Sequence, residues 1–131
     1  MQSNAMQNGK LCVLKDGTKH WVLNGLLHRL DGPAVEQRDG FKEWCINGKR
    51  QRVDGPAVEQ PDGYKEWCIN GKLHRVDGPA VEEVDGTKIW ALNGKYHRID
   101  GPAVEWASGS KEWWIDGIKQ DAARAKFVNS D

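Results

Sequence analysis

Polar and apolar residues alternate with a period of two through short stretches, and the same stretch returns every 23 residues. In Lys42-Glu43-Trp44-Cys45-Ile46, Lys, Trp and Ile fall on one side and Glu and Cys on the other, the signature of a β-strand. Matching pairs stand at Trp21/Leu23, Trp67/Ile69, Trp90/Leu92 and Trp113/Ile115, so a buried face is expected on the Trp side. Turn signals separate the stretches: an opening Asp-Gly, a central Asn-Gly and a closing Asp-Gly-Pro-Ala. Asn-Gly between alternating segments specifies a hairpin, because a type I′ turn needs positive φ at both central residues. Pro33, Pro56, Pro79 and Pro102 cannot donate to a ladder and mark strand starts or turns. The pattern predicts strands near 18–23, 34–38, 41–46, 57–60, 64–69, 80–83, 87–92, 103–106 and 110–115, and no helix between 10 and 115.

The repeating unit reads D-G-x-K-x-W-x-[LI]-N-G-x-x-[HQ]-R-[LVI]-D-G-P-A-V-E, with units at 16–38, 39–61, 62–84 and 85–107. A partial copy occupies 108–117. An incomplete one precedes the first unit over 6–15, with Asn8-Gly9 aligned to Asp31-Gly32 and Leu11–Leu14 to Ala34–Gln37. Copies share side chains because they share environments, as in stacked units that touch mainly their neighbours. Residues 118–131 break the pattern and read as a capping helix and tail: Asp121 is a good N-cap and 122–128 is helix-prone. Residues 1–5 read as the scar of a cleaved tag, with Met6 as the native start. The expected fold is all-β: tandem 23-residue β-hairpin repeats in an elongated twisted sheet or solenoid, with a short C-terminal capping helix.

With its 23-residue unit, opening Asp-Gly and Trp-bearing strand, the chain resembles the MORN repeat family and its variants over roughly residues 8–117. The Asn-Gly-Lys-x-His element, present as Asn70-Gly71-Lys72-Leu73-His74 and Asn93-Gly94-Lys95-Tyr96-His97, carries the resemblance furthest. It departs from the family in lacking Tyr-x-Gly before the Trp and in having Arg-x-Asp-Gly-Pro-Ala where the family has Gly-x-Gly. The extended motif is similar to the N-G-K-x-H-R-x-D-G-P-A repeats of bacterial, phage and large-virus proteins. The resemblance implies β-hairpins laid side by side in a ribbon or solenoid, and a scaffold or an inhibitor-like binding module.

Composition narrows the function. The 131 residues carry 19 Lys plus Arg against 19 Asp plus Glu, a formal net charge of zero. That argues against a bulk electrostatic grip on nucleic acid or anionic lipid. Seven Trp in a chain of mean hydropathy −0.74 suit a thin architecture, in which large rings cover area that a thick core would otherwise supply. Three Cys without a CxxC suggest neither a disulfide framework nor a zinc site. No apolar run approaches the ~18 residues of a membrane span, and no secretory leader is visible, so a cytoplasmic, non-transmembrane protein is expected.

Candidate binding residues lie in columns 23 apart: His28-Arg29, Arg52 (after Gln51), His74-Arg75 and His97-Arg98, each followed by Asp two residues beyond the Arg. Arg–Asp pairing would tie the Asp-Gly-Pro turn to the stack; the alternative is a row of recognition residues for an acidic partner or phosphates. The Trp column reads as a structural ladder or, alternatively, as a platform for bases or sugars. Trp106, off the column, is a further candidate contact residue. The Lys column (Lys19, Lys42, Lys65, Lys88, Lys111) and the Glu column (Glu36, Glu59, Glu82, Glu105) are expected to compensate one another. Cys45 and Cys68 share a position with Val22 and Ala91 and read as packing residues.

Catalysis needs unlike groups converging at one point, whereas a repeat presents like groups at many. No catalytic residue, metal or cofactor is therefore expected. The expected function is non-catalytic protein–protein interaction with an unknown protein partner, and a homodimer through the strand edge near 10–14 is compatible with it. Lipid or nucleic-acid binding along the Arg and Lys columns is the alternative.

Overall fold

The computed structural model describes residues 6–121, and every regular element among them is a β-strand. β1 (Lys10–Val13) precedes the first unit, which supplies β2 (Lys19–Leu23), β3 (Leu26–Leu27) and β4 (Val35–Glu36). The second unit supplies β5 (Lys42–Glu43), β6 (Cys45–Ile46), β7 (Lys49–Arg50) and β8 (Val58–Glu59). The third follows with β9 (Lys65–Glu66), β10 (Cys68–Ile69), β11 (Lys72–Leu73) and β12 (Val81–Glu82). The fourth has β13 (Lys88–Ile89), β14 (Ala91–Leu92), β15 (Lys95–Tyr96) and β16 (Val104–Glu105), and the chain closes with β17 (Lys111–Ile115) and β18 (Ile118–Gln120).

One long antiparallel sheet runs through all units in the order β1-β2-β4-β5-β8-β9-β12-β13-β16-β17-β18. Each full unit thus adds two strands to it. Beside this path the Asn-Gly hairpins form ladders of their own, β6–β7, β10–β11 and β14–β15, while β3 pairs with β2.

The turns follow from their residues. Asn24, Asn47, Asn70 and Asn93 have φ of 50–52° and the glycines after them 77–81°, the type I′ geometry that only such pairs adopt easily. The opening Asp-Gly makes a different turn. Gly40, at φ +102°, donates its N–H to the Gln37 carbonyl (3.1 Å), and Asp39 Oδ1 accepts the Phe41 N–H (3.0 Å). This is a three-residue loop closed by a left-handed glycine.

Neighbouring units are stitched along both rows. In the main sheet the Ala57 N–H donates to the Glu66 carbonyl of the next unit (2.7 Å), while the Trp44 N–H closes its own unit on the Ala57 carbonyl (2.7 Å). In the hairpin row the Arg52 N–H donates to the Cys68 carbonyl (3.1 Å) and the Gly71 N–H to the Arg50 carbonyl (2.8 Å). The sheet register alternates charge: Lys42 lies between Glu36 and Glu59, and Lys65 between Glu59 and Glu82. The two charge columns therefore interleave, as expected.

The buried row differs from expectation. It lies on the face opposite the Trp column and consists of Val35, Val58, Val81 and Val104 with Cys45, Cys68 and Ala91. The fully enclosed Ala34, Ala57, Ala80 and Ala103 lead into it. The Trp rings are only half-buried, and their cover is the side chain of an Arg.

The ends also bear on the sequence expectations. Val13 pairs with Lys19 and Cys12 with His20, in the register of the Glu36–Lys42 and Val35–Glu43 pairings. At the other end the sheet runs past the boundary expected at residue 117: Ile118–Gln120 pairs with Trp113–Ile115 as β18, because Asp116-Gly117 makes the same turn as Asn-Gly. The capping helix expected over 122–128 lies outside the described residues.

Burial, and next the adjacent charge of Glu43 or Glu66, pushes the Cys45 and Cys68 thiols up to about 12. At a pH of about 8.5, where an ordinary thiol is half ionised, a maleimide should modify the exposed Cys12 and leave Cys45 and Cys68 intact until denaturant is added. Peptide mass mapping of the labelled native protein checks this.

Candidate binding face

The Trp face carries a protruding loop in every unit, running from the Arg to the Pro of R-[LVI]-D-G-P. Each loop is held by one guanidinium. Arg75 Cζ lies 3.8 Å from the centroid of the Trp67 ring, and Arg29, Arg52 and Arg98 repeat this over Trp21, Trp44 and Trp90 at the same distance. Arg75 Nε donates to Asp77 Oδ1 (3.1 Å), and its NH1 group donates to the Pro79 carbonyl (3.0 Å) and to Glu82 Oε2 (3.3 Å). A Cβ on Gly78 would come within 2.8 Å of Arg75 Cζ. The guanidinium is therefore sandwiched between an indole and a bare glycine, and the glycine is required by closeness of approach. The Arg–Asp pairing expected from the sequence is present within each unit, joined by three partners that spacing did not reveal: Trp, the Pro carbonyl and Glu.

The His column serves the stack between units. His74 Nδ1 accepts the N–H of Asn93, the first turn residue of the next unit, at 3.0 Å. His28 does so for Asn47 and His97 for Asp116, at 3.0 and 2.9 Å. With Nδ1 accepting, the ring proton sits on Nε2, and in His28 that N–H donates to the Gln7 carbonyl (2.8 Å). Gln51 Oε1 accepts the Asn70 N–H at 2.6 Å, so Gln interrupts the His series without interrupting the bond. His28 is fully buried. Replacing His74 with Gln should leave stability within ~0.5 kcal/mol, whereas Ala should cost roughly 1 kcal/mol by leaving the Asn93 N–H unpaired. Urea denaturation of the two variants compares them directly.

Between successive loops lie three open grooves of about 690, 810 and 630 Å³. Trp44 and Ile46 line the first, Trp67 and Ile69 the second, and Trp90 and Leu92 the third. Their rims carry what sequence reasoning missed. Leu30, Val53, Val76 and Ile99, at the loop tips, are 44, 85, 82 and 59% exposed. Another exposed position changes character from copy to copy: it holds Arg38, Pro61, Val84 and Ala107. The tip position drifts only among aliphatics although Val53 and Val76 are more than four-fifths exposed there. That restriction, in a turn between Arg and Asp, is the signal available in the sequence.

Trp106 sits on the other face. It is 43% exposed, and its indole N–H donates to Glu112 Oε2 (3.3 Å). The N–H of Trp114, whose ring meets Tyr96 edge-on at 5.4 Å, donates to Glu112 Oε1 (2.9 Å). Trp114, with Trp106 after it, holds the Glu112 carboxyl below its ordinary value. Further along that face Arg50 bridges Glu43 (2.6 Å) and Glu66 (2.9 Å), and the Tyr64 hydroxyl donates to Glu66 (2.6 Å). Among the described residues no group of three or more His, Cys, Asp or Glu gathers to hold a metal, and no helix is long and apolar enough to cross a membrane.

Set against family models, curated proteins and solved structures, the chain matches none of them. Its class is defined by its own geometry: an all-β tandem-repeat sheet with one regularly grooved face.

Proposed function

We propose that the chain is a non-catalytic, MORN-like repeat module that binds a protein partner along its grooved face. The row of exposed aliphatic tips supports this most directly. Four copies retain Leu, Val, Val and Ile at a position where burial does not require them. An apolar row rimmed by charge is what an interaction surface presents. The Arg column, considered from sequence as a recognition row, contributes here by holding the tips in place. Each guanidinium already has Asp, Glu and a carbonyl as partners, which weighs against the lipid or nucleic-acid alternative. Three unpaired cysteines fit a reducing, cytoplasmic setting. The edge of β1, where Leu11 and Val13 are exposed, offers a second copy a place to pair.

The V53S/V76S double variant tests the proposal. Both side chains are more than four-fifths exposed, so each change should cost less than ~0.5 kcal/mol of stability. Immobilised wild-type protein should retain a partner from extracts of the cells that make it, and the variant should lose that partner. Identical retained sets would overturn the assignment of this face.

A further inference from the structure

The three grooves share a spacing, and that spacing selects a ligand shape. Each repeat inserts two strands into the sheet, so successive grooves lie about 9.5 Å apart at the backbone. A polyproline II helix has three residues per turn and advances about 9.3 Å in that turn. Laid along the repeat axis, it returns a side chain to the same side once per groove and stays in step across all three. An extended strand returns a side chain every ~6.8 Å and falls out of step at the second groove.

Chemistry agrees with the spacing. Each groove offers one indole and one aliphatic side chain between aliphatic rims, the lining that receives prolines in aromatic grooves. The indole N–H groups of Trp44, Trp67 and Trp90 have no hydrogen-bond partner in the described protein, and none is buried. A polyproline II backbone has no internal hydrogen bonds and leaves its carbonyls free to accept. Charge completes the match. The Asp54, Asp77 and Asp100 side chains are 86–87% exposed, and each gives Oδ1 to its Arg, leaving Oδ2 toward solvent. Cations on the ligand would meet these rim carboxylates.

Resting on the interaction face proposed above, we infer that the grooves take a proline-rich, basic segment of a partner protein in polyproline II conformation, with one apolar residue per groove.

Fluorescence anisotropy of the full chain with three labelled peptides of equal length tests this. One consists of repeated Pro-Pro-Lys triplets, one of Gly-Ser-Lys triplets and one of Thr-Thr-Lys triplets, so all three carry the same charge. The Pro-Pro-Lys peptide should bind at least about tenfold more tightly than either comparator, and V53S/V76S should remove about tenfold of its affinity. Circular dichroism should show the variant folded. Equal binding of all three peptides would reveal charge alone and overturn the inference, as would affinity unchanged in the variant or no binding by any peptide. Sedimentation equilibrium adds one further outcome: self-association lost in V53S/V76S would make a second copy the occupant and also overturn it. If the peptide fails while V53S/V76S still loses its cellular partner, the ligand assignment falls and the face stands. If neither moves, both fall.

Discussion

Replacing Arg75 with Ala is expected to destabilise the protein by about 2–3 kcal/mol. The change removes a guanidinium over Trp67, worth ~0.5–2 kcal/mol, together with donors to the Pro79 carbonyl and Glu82. The bond to the highly exposed Asp77 adds little, since exposed pairs contribute ~0–1 kcal/mol. Lys should recover less than roughly half of the loss, because an ammonium cannot stack flat on the indole while bonding on two edges. Gly78→Ala should cost less than R75A. Its added methyl can be accommodated when Arg75 swings out, so the cost cannot exceed what that side chain contributes. In the R75A background the three atoms nearest to that methyl are gone, and its cost should fall. Urea denaturation of the four proteins in this cycle measures the coupling; additive effects would mean that the sandwich is not a unit.

Gly71→Val should cost roughly 1–3 kcal/mol for a different reason. Gly71 has φ +77°, and the nearest atom to a Cβ there is Lys49 Cβ at 3.5 Å, an ordinary contact. Space is available, and the penalty is the left-handed backbone forced on a β-branched residue. Gly71→Asn should therefore recover more than half of the loss, since Asn accepts that conformation. The Gly71 N–H also links its turn to the Arg50 carbonyl of the preceding unit. Because units touch mainly their neighbours, amide exchange should accelerate first around the second and third hairpins. Uniform acceleration along the chain would show the sheet opening as one body.

The two substitutions mark how far local sequence carries. Asn-Gly, Asp-Gly and the period of two specify turns and strands from within a few residues, which is why the hairpins and the side-by-side order were legible. The Gln51 interruption was not, because the bond it makes depends on an acceptor atom reaching the next unit, 19 residues away. Nor was the face of the core. Alternation says that Trp44 and Cys45 point opposite ways; it cannot say which side is covered. Arg52 folds back over Trp44 on one side, and the enclosed row, with Val58 and Cys45, is on the other.

By itself, then, the order of residues determined an all-β stack of 23-residue units with interleaved Lys and Glu, since turn geometry and strand pairing are short-range consequences of residue type. Only the tertiary structure decided that Leu30, Val53, Val76 and Ile99 stand out in solvent above Trp-lined grooves. Their position depends on a loop lifted off the sheet and pinned by a guanidinium between an indole and a glycine, contacts that join residues up to eight positions apart and so escape any strand-period reading.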